Sequence, residues 1–172
     1  MNLIDRVKNI LLTPKTEWDV INSETVTPPS LLVSYIFPLA VISAIGPVLS
    51  GFLFPGLLGL NAFLISALIA FLSAIISYYI SLYIIDILAP TFGSEKDLNK
   101  SAQLVAYSTT PSFIAGLLSF IPVIGGLLSF VAWAYSIYIM YLGLTPLKKT
   151  PEDKKIIYLI IAFIVTVAVM MV

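Results

Sequence analysis

From Leu60 to Ala89 the chain runs for 30 residues with a single charged side chain, Asp86. Such a run excludes a water-facing element, which needs a polar face at helical spacing. Hydrocarbon demands no polar face, provided every backbone N–H and C=O is bonded within the segment, as in a helix. At 1.5 Å per residue the run is ~45 Å long, longer than the ~30 Å hydrocarbon core requires, so it should tilt or project beyond it. The remaining sequence agrees: 59% of residues are hydrophobic and 10% charged, where a soluble domain carries about a quarter charged. The sequence therefore predicts an all-α, polytopic integral membrane protein in contact with the lipid bilayer.

Five spans are expected, at about 30–54, 60–89, 101–120, 127–144 and 155–172, forming one membrane domain over 29–172. Pro38 and Pro47 should bend the first, and Pro55, Gly56 and Gly59 form an uncharged turn after it. Pro111 should kink the third, and Pro122, Gly125 and Gly126 turn the chain into the fourth. The fifth is only ~25 Å long and barely crosses. Helix starts are signalled by Thr13-Pro14, by Thr150-Pro151, and by Ser94 with Asp97 in a capping-box arrangement.

Residues 1–28 read as an interfacial segment of two short amphipathic helices. In the first, Leu3, Ile4, Val7, Ile10 and Leu11 share one face, opposite Asp5, Arg6, Lys8 and Asn9. Trp18 in the second should sit at headgroup depth. Asp5, Arg6 and Lys8 interrupt any h-region, so no cleavable signal is expected.

The nine basic residues all fall before span one, between spans two and three, or between spans four and five. By the positive-inside rule the N-terminus is cytoplasmic and the C-terminus extracytoplasmic, in a cell (inner) membrane.

Asp86 is the one carboxylate inside an apolar run, and an intramembrane ionisable group marks a proton relay or cation site. Close to Pro90 it also fits a wetted helix end. Tyr79 and Tyr83 lie one turn earlier and could hydrogen-bond it. Tyr107, Ser108, Thr109, Thr110 and Pro111 form a second polar site. There the hydroxyls either cap carbonyls freed by the proline or, with those carbonyls, coordinate a solute. Lys148, Lys149, Lys154, Lys155 and Trp18 are candidate contacts to lipid headgroups. Small residues such as Ala115, Gly116, Ser119, Gly125, Gly126 and Ser129 suit close helix packing.

The sequence has no cysteine and no histidine, and its formal net charge is zero. It offers no phosphate-cradling loop, no metal-ligand cluster and no nucleophile paired with a base, so no enzyme and no cofactor are expected. A balanced charge gives no footprint for nucleic acid.

Three stretches carry a resemblance: LIDRVKNILLTPKTEWDVI at the start, AYSTTPSFIAGLLSFIPVIGG in the centre and YLGLTPLKKTPEDKK before the last span. Together they resemble the Yip (Ypt/Rab-interacting protein) domain family, in its bacterial branch. The resemblance implies a five-helix membrane protein that acts as a scaffold or partner-binding module, possible partners being a second copy or another membrane protein. Relatives that serve vesicle traffic with small GTPases carry a long soluble N-terminal region, whereas about 28 residues precede the first expected span here. Their glycine-tyrosine pair is also replaced by Ala106-Tyr107. GTPase binding is therefore not carried over. The alternative from the residues themselves is a small solute or ion transporter or channel using the kinked third helix and Asp86.

Overall fold

The computed structural model describes residues 2–54 and 60–171; the expected turn at 55–59 lies outside them. Among the described residues there are helices and no strands. Two short helices, α1 (Leu3–Leu12) and α2 (Pro14–Ser23), lead into α3 (Pro28–Leu53). Then follow α4 (Leu60–Leu88), α5 (Leu98–Ser108), α6 (Thr110–Leu117), α7 (Ile124–Lys148) and α8 (Lys155–Met170). Among the described residues three helices are long and apolar enough to cross a membrane: Pro28–Leu53, Asn61–Phe92 and Ile124–Lys148.

The starts of these helices follow local chemistry. Thr27 and Ser30 form a capping box ahead of α3, with Pro28 and Pro29 in the first turn, where a missing N–H costs nothing. One widened π-turn, Leu32–Ile36, then precedes Pro38, a common accommodation beside a helix-interior proline. The expected cap at Ser94 is displaced to Asp97, whose carboxylate accepts from the Lys100 N–H at 3.0 Å. Ser94 is instead paired with the Thr150 hydroxyl at 2.8 Å, tying together the segments that precede α5 and α8. Thr150-Pro151 accordingly precedes a single 3-10 turn, Glu152–Lys154, and α8 starts at Lys155.

Residues 101–120 do not form one helix. Pro111 has no N–H to give the Tyr107 carbonyl, and the Thr110 hydroxyl donates to that carbonyl at 2.7 Å. Thr109 spends its hydroxyl on Val105 and Ala106 carbonyls at 3.1 and 3.0 Å. The break yields α5, buried at every residue from 101 to 108, and a short α6 that is partly exposed. With the tight turn Leu118–Phe120 that follows it, α6 rises only about 16 Å.

At the apolar end, α3 and α6 touch backbone to backbone. A Cβ on Gly46 would lie 2.0 Å from the Gly116 carbonyl oxygen, and one on Gly116 would lie 1.9 Å from Ser43 Oγ. Gly125 is less crowded, its Cβ position lying 2.9 Å from the Ser119 carbonyl oxygen, and Gly126 faces open space. Small residues let helices approach this closely, which strengthens dispersion contacts that lipid cannot match. The turn into α7 places Val123 at φ 64° and ψ −54°, with the Ile124 N–H bonded to the Pro122 carbonyl at 2.7 Å. That is a γ-turn, and a β-branched residue at its centre is strained.

Candidate functional site

The polar side chains gather at the end of the bundle where α2 and α5 pack against α7, and α1 packs against α2, α5 and α6. They form two centres, and the fold brings each together from segments far apart in sequence.

The first centre joins α4, α5 and α7. Lys148, on the last turn of α7, is fully buried. Its three ammonium protons meet three acceptors: Asp86 Oδ1 at 3.2 Å, Ser101 Oγ at 2.7 Å and the Asp97 carbonyl at 3.1 Å. The Ser101 hydroxyl lies 3.1 Å from Asp86 Oδ1 and 3.0 Å from the Asp97 carbonyl, so it can donate to either. Asp86 is thus neither a wetted helix end nor a partner of Tyr79 or Tyr83. Tyr79 packs edge-on against Tyr78, with ring centroids 5.2 Å apart, and Tyr83 is 49% exposed. The tyrosine beside Asp86 is Tyr158 of α8, which donates to the Ile85 carbonyl.

The second centre holds α1 and α2. Arg6 is buried, with Nη1 on Glu17 Oε1 at 2.5 Å and Nη2 on Glu24. Its guanidinium also sits 5.2 Å from the centre of the Tyr107 ring. Arg6 therefore lies on the inner face of α1 with Ile10, while Ile4 is 77% exposed. The hydrophobic pattern alone places these two residues the other way round. The reason is pairing: two carboxylates and an aromatic face compensate a buried guanidinium, and nothing inside the bundle requires Ile4.

Trp18 is also corrected. It is fully buried rather than at headgroup depth, and its indole N–H donates to the Ile139 carbonyl at 3.0 Å. Gly143 makes the space: a Cβ there would lie 2.7 Å from Trp18 Cε2. Gln103 Nε2 donates to the carbonyls of Ile21 and Glu24 at 3.0 and 3.1 Å, capping the end of α2. Tyr135 donates to the Leu11 carbonyl at 2.7 Å, and Lys100 Nζ to that of Asn22 at 2.6 Å. Partial burial holds the Lys100 ammonium pKa below its ordinary value.

The expected polar cluster around Pro111 is split among these partners. Thr110 and Tyr35 share a hydrogen bond of 2.7 Å, and the Tyr35 ring meets Tyr107 edge-on at 4.7 Å. Thr109 and Thr110 are satisfied by backbone carbonyls, Pro111 is buried, and Ser108 Oγ is buried with no partner.

Nor do the basic residues act alike. Lys148 is internal, and Lys155 is 5% exposed, bonded to Glu152 at 2.6 Å and lying 4.8 Å from the centre of the Tyr141 ring. Neither is free for a headgroup. Lys149 and Lys154 are exposed, and Lys149 pairs with Glu95 at 2.6 Å. Hydrogen bonds from Lys155 and Thr145 hold the Glu152 carboxyl below the usual carboxylate range.

Sequence reasoning missed Arg6, Glu17, Glu24, Ser101, Gln103 and Tyr35 as members of these centres. The available signal was an arginine one helical turn before an apolar inward-facing residue, Ile10, with carboxylates following within twenty residues. Among the described residues no three His, Cys, Asp or Glu side chains gather as metal ligands. What the arrangement does is fasten a polar hairpin to an apolar bundle.

A family model described as the Yip1 domain matches residues 8–172. No curated protein and no solved structure matches the chain.

Proposed function

Because this chain belongs to the Yip1 domain family, we propose that it is a non-enzymatic, multi-pass protein of a bacterial inner membrane that binds a membrane protein, or a second copy of itself, through its N-terminal hairpin. In this reading α3, α4 and α7 cross the bilayer, and α6 and α8 complete five membrane-inserted segments. The N-terminus is cytoplasmic and the C-terminus extracytoplasmic. The positive-inside distribution of the nine basic residues supports that orientation.

One observation carries the binding role. The hairpin is fixed to the bundle by Arg6 over the Tyr107 ring, by Trp18 and by Tyr135, yet α1 turns Ile4 and Leu12 outward, 77% and 69% exposed. Those residues are eight apart and share a face. A rigidly held apolar pair beside a polar layer suits a protein contact better than a tail lying loosely on headgroups. Small-GTPase binding is not part of the proposal.

The test is in-membrane crosslinking followed by purification in mild detergent, with wild type compared against Ile4→Asp/Leu12→Asp. Both positions are exposed, so the bundle should stay folded. A stoichiometric partner or second copy is expected with wild type and lost in the variant; an unchanged crosslinking pattern refutes the hairpin as the docking face. The transporter reading predicts instead that Asp86→Asn abolishes a flux in reconstituted vesicles. The engagement of Asp86 by Lys148 favours the binding role.

A further inference from the structure

We infer that the cavity between α4, α6, α7 and α8 holds one uncharged, single-chain lipid taken from the bilayer, with its hydroxyl or ester group at Ser108. The cavity has a volume of about 500 Å³, inside the range of small-molecule sites. Its lining runs along α8 from Leu159 to Met170, about 16 Å at helical rise. A slot of that length fits an extended aliphatic chain better than a compact solute.

The walls specify the chemistry further. No charged side chain lines the cavity, so an ionised head would be desolvated without a counter-charge. Hydroxyls are present instead. Ser112 and Ser136 pair with each other at 3.0 Å, and Thr166 is spent on the Ala162 carbonyl at 2.7 Å. Ser77 and Ser81 line the α4 side and are only half-buried; Ser108 is the lining hydroxyl that is fully buried with no hydrogen-bond partner for its oxygen. An orphaned buried hydroxyl is destabilising unless something supplies the partner. A neutral oxygen at the head of a lipid chain supplies it.

The route of entry is also visible. Phe163 and Val167 line the cavity while being 47% and 41% exposed on the apolar surface of the chain. The slot therefore opens towards hydrocarbon, and its occupant arrives sideways from the membrane.

The test uses the full-length protein in nanodiscs with a diazirine-bearing monoacylglycerol as the probe. Photolabelling should be saturable, concentrated on α8 and on the stretch of α7 around Ser136, and competed by unlabelled monoacylglycerol but not by the ionised fatty acid. Ser108→Ala should weaken labelling about two- to tenfold, the worth of one hydrogen bond. Thr166→Phe, which fills the slot from α8, should abolish it, while Ile65→Phe on an exposed face leaves it unchanged. Monodisperse elution of each variant checks folding. Unsaturable labelling spread equally over all lipid-facing helices would overturn the site. Saturable labelling indifferent to Ser108→Ala, or competed equally by the fatty acid, would overturn the assigned head position.

Discussion

Removing either partner of the Asp86–Lys148 pair should destabilise the protein far more than removing both. The pair is internal, with side chains 7% and 0% exposed, so the charge left behind is neither hydrated nor screened. Breaking a buried pair from one side typically costs about 3–5 kcal/mol, whereas apolar replacement of both partners is often neutral or stabilising. The geometry ranks the single variants. Lys148→Met strips one donor from each of three acceptors: the Asp86 carboxylate, Ser101 Oγ and the Asp97 carbonyl. It belongs near the upper end. Asp86→Asn keeps an acceptor oxygen for the ammonium and loses only the charge, so it belongs near the lower end. In Asp86→Leu/Lys148→Met the Ser101 hydroxyl can still donate to the Asp97 carbonyl at 3.0 Å, and stability should return to within about 2 kcal/mol of wild type. Equilibrium unfolding in mixed micelles with rising sodium dodecyl sulfate, read by tryptophan fluorescence, measures all four proteins. Single variants within 1 kcal/mol of wild type, or a double variant worse than both singles, would refute the argument.

Three other outcomes follow from separate features. Gly143→Ala places a methyl 2.6 Å from a Leu104 methyl and 2.7 Å from Trp18; such overpacking costs about 1–3 kcal/mol. It should loosen α2, seen as faster proteolysis within residues 13–27 while the bundle stays resistant. Val123→Gly relieves the γ-turn and should raise the midpoint of thermal unfolding in detergent, because the left-handed conformation costs glycine little. The Glu152 carboxyl, held low by Lys155 and Thr145, stabilises the start of α8 at neutral pH. Its folded-state pKa lies below the unfolded value, so the contribution is complete above the unfolded pKa and disappears as pH falls through the folded one. An acid-induced increase in amide exchange at the start of α8 should be present in wild type and absent in Glu152→Gln.

The membrane character of the chain is legible from the run around Asp86, because hydrocarbon tolerates that composition only as a helix. The positions of α3, α4 and α7 follow from apolar length and from prolines and glycines at their ends. The polar centres are not legible in the same way. Asp86 is conspicuous in sequence, but its partner lies 62 residues away, and no local pattern distinguishes Lys148 from the exposed Lys149 beside it. The N-terminal helices mislead for a related reason. Amphipathicity records which residues are apolar, whereas Arg6 is buried by specific partners, two carboxylates and a ring, that only the assembled fold supplies. The hydroxyl of Thr110 is readable in sequence as a carbonyl cap, since the carbonyl freed by Pro111 sits a fixed four residues back, at Tyr107. That Ser108 is the hydroxyl left without a partner depends on packing.

The hydrogen bond from Trp18 to Ile139 spans 121 residues, and this sets an order of events as the polypeptide is made. At 5–20 residues per second, roughly 6–24 s separate the emergence of α2 from that of the notch at Gly143. Throughout that interval the Trp18 indole has no notch to close upon. The hairpin then depends on the ribosome's surroundings, a chaperone or the membrane surface, to keep it from aggregating. The hairpin is thus made well before the part of the bundle that seats it.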